Sequence, residues 1–592
     1  MILRFFFIYV AIVLSYNLSS CSKKQDVDEG NLVGVNFNIV GIEDENSELV
    51  KLGSNEKPRT NSNLIYSKIV EQGDDNYVVS VSEERFSGLS RSKELGEVHK
   101  LGATVPMASN ISYRVLIYDE NDAYVATLNG NSSSALNFNQ IRMGKVYKWF
   151  AYSYNTSASI PALANNTSPA ITSTSTGGLL YDSGQFTSSN TAPNNRVSIT
   201  FKRKTSVIEL IINGRGIFDE ITAVQLASTL TGLKSSGQFN LKNGTYTSYT
   251  AASPVTNYAN TSFTQFKTVS KDTIRKIELY TVDGVNPLPS FGLTFSGVSQ
   301  RTDLSFAPVS RSRSFTTSST INIPIFTPQL GRKYRIVYTP LYRAFTLPNG
   351  VRWAMGNLYY DANRKAYAFL HFNSNYYADV SFTSLPPSPA ITPRQNLYWK
   401  WRALLPGTAG VANSGDPCTK VYPEGLWKMP TAVEFESINF LAQSIGNPTS
   451  STPTIRSQHS GDPLRYLEAR TDVTQNKPFE PYNWHEAMVL MQLGYYNGSN
   501  QLVHYRTTSN DRAGLYFWAS DVNVVSSVGR TYSITTLASN TGIMYKNITQ
   551  YFSENSDNLL VELLTVPVTN NFRLNIRCVR NSSFTTYIPK LP

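Results

Sequence analysis

Beyond residue 14 the sequence has no apolar run long enough to cross a bilayer, a task that takes about 20 residues, so no spanning helix is expected there. Histidine is scarce. The five present (His99, His371, His459, His485, His504) show no pair at metal-ligand spacing. The tripeptide at 485–487 reads HEA, but a zincin helix needs a second histidine four residues after His485, and that position is Val489. No metal and no other cofactor is therefore expected. The sequence also has no Ser-His-Asp arrangement, no paired-carboxylate motif and no phosphate-binding glycine loop, which argues against an enzyme. Charge is thin, at 16% of residues. The formal net charge is +11, yet Lys and Arg are scattered, and the densest cluster, Lys202 to Lys204, adjoins an apolar strand. That distribution describes a solvated surface, and no nucleic-acid partner is expected.

What is present points outward from the cell. The chain is 41% hydrophobic with 35 tyrosines, a composition of extracellular β-structure in which strands turn hydroxyls to water. Residues 5–14 (FFFIYVAIVL) form the apolar core of a signal peptide. The sequence LSSC that follows, ending at Cys21, resembles the lipobox of bacterial lipoproteins. The resemblance implies removal of residues 1–20, a diacylglycerol on the sulfur of Cys21 and a further acyl chain, of palmitate type, on its freed amine. Several acyl chains anchor stably where one does not. Residues 21–30 then form a solvated tether. Its Asp26, Asp28 and Glu29 resemble the surface-export signal of Bacteroidetes lipoproteins. The expected location is the outer membrane, with lipid as the partner of Cys21 and the bulk facing the cell exterior. Of the three cysteines, Cys418 and Cys578 then remain, and an even remainder in an oxidising compartment implies one disulfide. For a bridge closing 160 residues, chain entropy alone predicts roughly 5 kcal/mol.

Strands dominate residues 31–345. GVNFNIVG places Val35, Phe37 and Ile39 on one face, with Asn36 and Asn38 on the other. Tyr113, Val115 and Ile117 lead into the polar turn 119–122 of a hairpin. An aromatic strand is expected within 144–157, and two apolar ones at 197–201 and 207–212. Residues 155–178 are expected as a surface loop without a share in any core, and 310–320, 385–393 and 446–463 as further joints. Six of the seven tryptophans (Trp353, Trp399, Trp401, Trp427, Trp484, Trp518) follow residue 350, marking a separate C-terminal domain. Within it, Thr431 and Glu434 form a capping box for a helix that places Phe435, Ile438 and Ala442 on one face.

Three segments, VNFNIVG, GKVYKWFAYSYN and FKRKTSVIELII, resemble the fimbrillin-like surface lipoproteins of the Bacteroidetes, built from two transthyretin-like sandwiches. Four later motifs, VRWAMGNLYYD, DPCTKVYPEGLWKMPTAVEFESI, GLYFWASD and FRLNIRCVRN, resemble the Fibrobacter succinogenes major paralogous domain. That domain is itself similar to C-type-lectin-like and formylglycine-generating-enzyme folds. The expected fold is therefore mainly β: β-sandwich domains at 31–200 and 201–345, followed by an α+β domain at 346–592 holding the Cys418–Cys578 bridge. Formylglycine-generating enzymes carry reactive cysteines, whereas Cys418 and Cys578 match structural positions of the paralogous family. The resemblance implies a role in adhesion or recognition, as a fimbrial tip, accessory or anchor component or a stand-alone adhesin. Expected partners are other fimbrial subunits and a host or microbial glycan or protein. A glycan-capture lipoprotein of a nutrient-uptake system is the alternative, and an enzyme on the formylglycine-generating fold ranks below both. Trp399, Trp401, Tyr495 and Tyr496 are candidate ligand-stacking aromatics. Arg59, the first arginine after the earliest strand, is the candidate processing site.

Overall fold

The computed structural model describes residues 31–43, 62–84 and 104–589, apart from internal segments of which the longest are 370–394, 437–454, 471–486 and 554–564. The architecture is mainly β. Among the described residues one α-helix occurs, Ala432–Glu436.

The first sandwich is an eight-stranded sheet folded over on itself. One half holds strand Leu32–Glu43 between Arg196–Arg203, which runs parallel to it, and Leu136–Arg142, which runs antiparallel. The other half holds Leu180–Thr187, Val146–Ser153, Ser112–Asp119 and Tyr124–Asn131 as consecutive neighbours. Two residue pairs, Leu180 with Arg203 and Tyr181 with Lys202, join the halves. Alternation fills the space between them. Val35, Phe37, Tyr113, Val115, Ile117, Trp149, Val197, Ile199 and Phe201 form one core, in which Phe37 meets the rings of Trp149 and Phe186 edge-on. A register shift between Ile39 and Gly41 leaves Val40 exposed and returns Ile42 to the core. Gly41 is required there, because a Cβ would lie 2.5 Å from the Val105 carbonyl oxygen.

Strands Ser112–Asp119 and Val146–Ser153 are buried on both faces, which simple alternation does not suggest. Their second face packs Leu116, Tyr118, Phe150 and Tyr152 against Phe239 and Leu241. Here the expected surface loop 155–178 is corrected. Ile160 and Leu163 pack on this cluster, and Ala170–Ser173 is a strand paired with Lys234–Asn240. The buried Arg114 guanidinium holds the segment down, donating to the carbonyls of Ile160 (2.9 Å) and Pro161 (2.5 Å). Residues 311–315, also read as a joint, form a strand against Phe291–Thr302.

The second sandwich has a six-stranded sheet in the order Thr264–Phe266, Ile274–Thr281, Ser206–Asn213, Lys333–Pro340, Asp75–Glu84 and Ser62–Gln72. Its two outer strands at one edge come from within residues 31–200, and the inner of them, Asp75–Glu84, lies beside residues more than 240 positions later. Hydrophobic spacing explains their placement: Tyr77, Val79 and Val81 alternate into the core built by Ile208, Leu210, Ile212, Ile336 and Tyr338. A five-stranded sheet including Glu220–Ser228 and Phe291–Thr302 faces it, contributing Ile221 and Val224.

After Pro340 the chain builds smaller sheets. One joins Ala344–Thr346, Arg352–Ala354, Val579–Arg580 and Trp427–Lys428. The capping box forms as the sequence suggests: the Glu434 carboxylate accepts from the Thr431 amide (2.8 Å), and the Thr431 hydroxyl accepts from the Glu434 amide (3.2 Å). Phe435 is buried against Trp353 and Phe517, while Ile438 and Ala442 lie outside the described residues.

Candidate functional site

The segment 572–580 is the axle of the C-terminal part. Arg573 exchanges backbone hydrogen bonds with Tyr496, Leu574 with Trp399, and Asn575 with Tyr516 and Trp518. The Ile576 carbonyl accepts from Leu358 and the Cys578 carbonyl from Ala354. Val579 pairs with Trp353 and with Lys428, and Arg580 with Trp427. The four sequence motifs of this part thus meet along one strip, whose backbone groups are satisfied in turn by segments far apart in the sequence.

Cys578 on this strip is bonded to Cys418, with Cα atoms 5.8 Å apart. Both residues are fully buried, so the sulfurs form a covalent tie and no free thiol. Asp416 prepares the Cys418 side. It caps the turn Pro417–Lys420, and one carboxylate oxygen accepts from the Cys418 amide (2.9 Å). The other accepts from the Met429 amide (2.9 Å), which joins the turn to the strand beside the strip. Burial pushes this carboxyl above its ordinary range, against the opposing effect of those two N–H groups.

All four aromatics that the sequence offers as a stacking platform lie in the core, and that expectation is corrected here. Trp399 and Tyr495 are wholly buried, and Trp401 and Tyr496 nearly so. The reason is local. Trp399 is hydrogen bonded through its backbone to Leu574, and its carbonyl accepts from the Trp518 indole (2.7 Å). The Trp401 indole donates to the Ala519 carbonyl (2.8 Å). Tyr495 stacks on Phe572, and Tyr496 lies under the Arg573 guanidinium at 4.3 Å. Each flat face is occupied by the protein itself.

A charged cluster that the sequence reading missed lies where the C-terminal part meets the second sandwich. Arg580 is buried, with its guanidinium 3.9 Å over the Trp427 ring and donating to the Tyr342 carbonyl (2.6 Å). It forms an ion pair at 2.6 Å with Glu71, whose other oxygen pairs with Arg352. Burial pushes Arg580 down to about 10, with Glu71 acting in the opposite sense, so it stays charged at neutral pH. A second contact is aromatic. The Asn213 amide donates to the Tyr422 hydroxyl (2.8 Å), and the Arg215 guanidinium sits 4.0 Å over that ring. Only the position of Arg580 beside Cys578 could have drawn attention to it, and nothing local marks Glu71. Cys21, Arg59 and all five histidines lie outside the described residues.

Residues 118–334 match a family described as fimbrillin-like, a stretch of less than half the chain. No curated protein matches the sequence. Among solved structures, one from Bacteroides ovatus, provisionally described as a cell adhesion protein, is 14% identical with a TM-score of 0.27, covering 41% of this chain and 86% of its own. A similarly described protein from Bacteroides fragilis is 11% identical with a TM-score of 0.26, covering 41% and 85%. A fimbrial assembly protein from Parabacteroides distasonis is 11% identical with a TM-score of 0.20, covering 44% and 91%.

Proposed function

We propose that this chain is a surface-exposed lipoprotein of fimbrillin type acting in adhesion or recognition, as a fimbrial tip, accessory or anchor component or a stand-alone adhesin. The observation that carries this reading is the fimbrillin-like match over 118–334, which spans most of both sandwiches and leaves a further disulfide-tied part after it. The added part favours a terminal position, because a stalk subunit must present matching ends to its neighbours. Its type, C-type-lectin-like or formylglycine-generating-enzyme-like as the motifs suggest, belongs to the same proposal, as do the domain limits 31–200, 201–345 and 346–592, with the hairpin 62–84 lent by the first range to the second sandwich.

Assembly with other fimbrial subunits has a physical basis in strand Leu32–Glu43. It fills a slot between two strands and supplies Phe37 to the core. Cleavage after Arg59 would cut the chain behind this strand, and its departure would leave a slot whose unpaired backbone a partner's strand could satisfy. Until such a cut, lipid on Cys21 keeps the chain in the outer membrane. The glycan-capture reading loses its main support with the burial of Trp399, Trp401, Tyr495 and Tyr496.

The test uses intact cells of the source bacterium. External protease should digest the protein, a deletion strain should lose attachment, and the Cys21→Ala chain should be released without restoring it. A protease-protected protein, or radiolabelled fatty acid still on the Cys21→Ala chain, would refute the surface lipoprotein reading. Long homopolymers of purified mature protein would overturn the terminal role.

A further inference from the structure

The chain leaves the first sandwich at Glu43 and re-enters it at Thr104, and these two residues are paired neighbours in one ladder. The described chain between them is an excursion. It is the hairpin of Ser62–Gln72 and Asp75–Glu84, which adds two strands to the outer edge of the six-stranded sheet, against Lys333–Pro340.

Alternation along this hairpin sends side chains into two different cores. Tyr77, Val79 and Val81, with Tyr66 and Val70 beside them, enter the second sandwich. Val78 and Ile69 point the other way, into the core of the C-terminal part. Polar contacts follow the second direction. Glu71 pairs with Arg352 and Arg580, the Tyr587 amide donates to the Ser67 hydroxyl (3.2 Å), and the Leu341 amide donates to the Asn76 carbonyl (2.8 Å). The excursion and both arginines lie outside the residues matched as fimbrillin-like, so this arrangement belongs to what the chain adds to that match.

We infer that the hairpin 62–84 is a latch clamping the C-terminal part to the second sandwich, with Glu71 as its pin. Three features make it a latch. Its strand Ser62–Gln72 is the outermost of its sheet, with Ile65 exposed, so peeling can start at that edge, before the ladder between Asp75–Glu84 and Lys333–Pro340 opens. Its withdrawal leaves the first sandwich closed through the Glu43–Thr104 pair. It also leaves a hinge: the Asn213 and Arg215 contacts with Tyr422, and the Tyr342 amide bonded to the Gly216 carbonyl (3.2 Å). The pin matters because removing one partner of a buried ion pair strands the other, here an arginine over Trp427. Opening the latch frees the C-terminal part to move as a unit about the Gly214–Gly216 turn.

Hydrogen exchange on the full-length chain tests this. Glu71→Ala should raise exchange at least about tenfold in 62–72, 344–354, 427–428 and 579–580, while 112–119 and 146–153 stay protected. Glu71→Gln keeps the side chain's size and should act in the same direction if the alanine variant accumulates poorly. Asp122→Ala, which removes an exposed pair with Lys148 in the first sandwich, should leave the C-terminal amides unchanged. Unaltered protection at 427–428 and 579–580 in both Glu71 variants would overturn the latch. So would equal loss of protection in the first sandwich, which would mark a general loss of stability.

Discussion

Replacing Cys418 and Cys578 together by alanine removes a tie whose worth follows from chain length. The two residues are 160 apart, and closing a loop of that size in the unfolded chain is worth roughly 5 kcal/mol. The two alanines also leave the volume of both sulfurs unfilled in a fully buried site, which adds to the loss. With a urea dependence of about 2.5 kcal/mol per molar, the midpoint should fall by about 2 M. The protein carries its own selective reporter. Trp353, Trp399, Trp401, Trp427 and Trp518 are buried in the C-terminal part, whereas Trp149 is the sole tryptophan of the sandwiches, so intrinsic fluorescence follows mainly the C-terminal transition. Circular dichroism, dominated by the sandwich strands, should keep a second transition near its original midpoint. A fluorescence midpoint that moves by less than about 0.5 M, or a sandwich transition that falls equally, would refute the reasoning. In the first case the unfolded chain would already be compact around the bridge, and in the second the parts would unfold as one.

Two further outcomes follow from other sites. Phe37→Ala should destabilise the first sandwich by about 3–5 kcal/mol, seen by calorimetry as a lower first transition; a shift under about 1 kcal/mol would show that the slot is filled without this ring. Asp416→Asn turns an acceptor into a donor facing the Met429 amide and should cost about 1–3 kcal/mol. The folded-state pKa of Asp416 is raised, so the folded chain holds this proton more tightly than the unfolded one. The wild-type margin over Asp416→Asn should therefore narrow as pH rises from about 4 towards 7, and a margin that widens would contradict the burial argument.

Local pattern carried much of the fold. The hairpin around the turn 119–122 was legible because polar residues interrupt two alternating runs, and the capping box because Thr431 and Glu434 stand three apart after a proline. The cysteine pair was legible by elimination and geometry agrees with it. The failures share a cause. Trp399 and Tyr496 look presentable until the strip 572–580, more than 70 residues later, covers them. Residues 155–173 look too polar to bury, yet Ile160, Leu163 and Ile171 suffice once Arg114 captures the backbone between them. Glu71 meets Arg352 across 281 positions, and no period of two or of 3.6 reports a partner at that distance.

The parallel pairing of Leu32–Glu43 with Arg196–Arg203 also has a mechanical meaning. A pull delivered along the chain ahead of Leu32 draws this strand lengthwise past both neighbours. Its ladder bonds are then strained side by side, in shear, and must fail together. The outer strand Ser62–Gln72, bonded on one side to Asp75–Glu84, can instead be unzipped one pair at a time. A chain tugged from its N-terminal end thus meets its stiffest joint first, and the hairpin behind it is shielded from the load for as long as that joint holds.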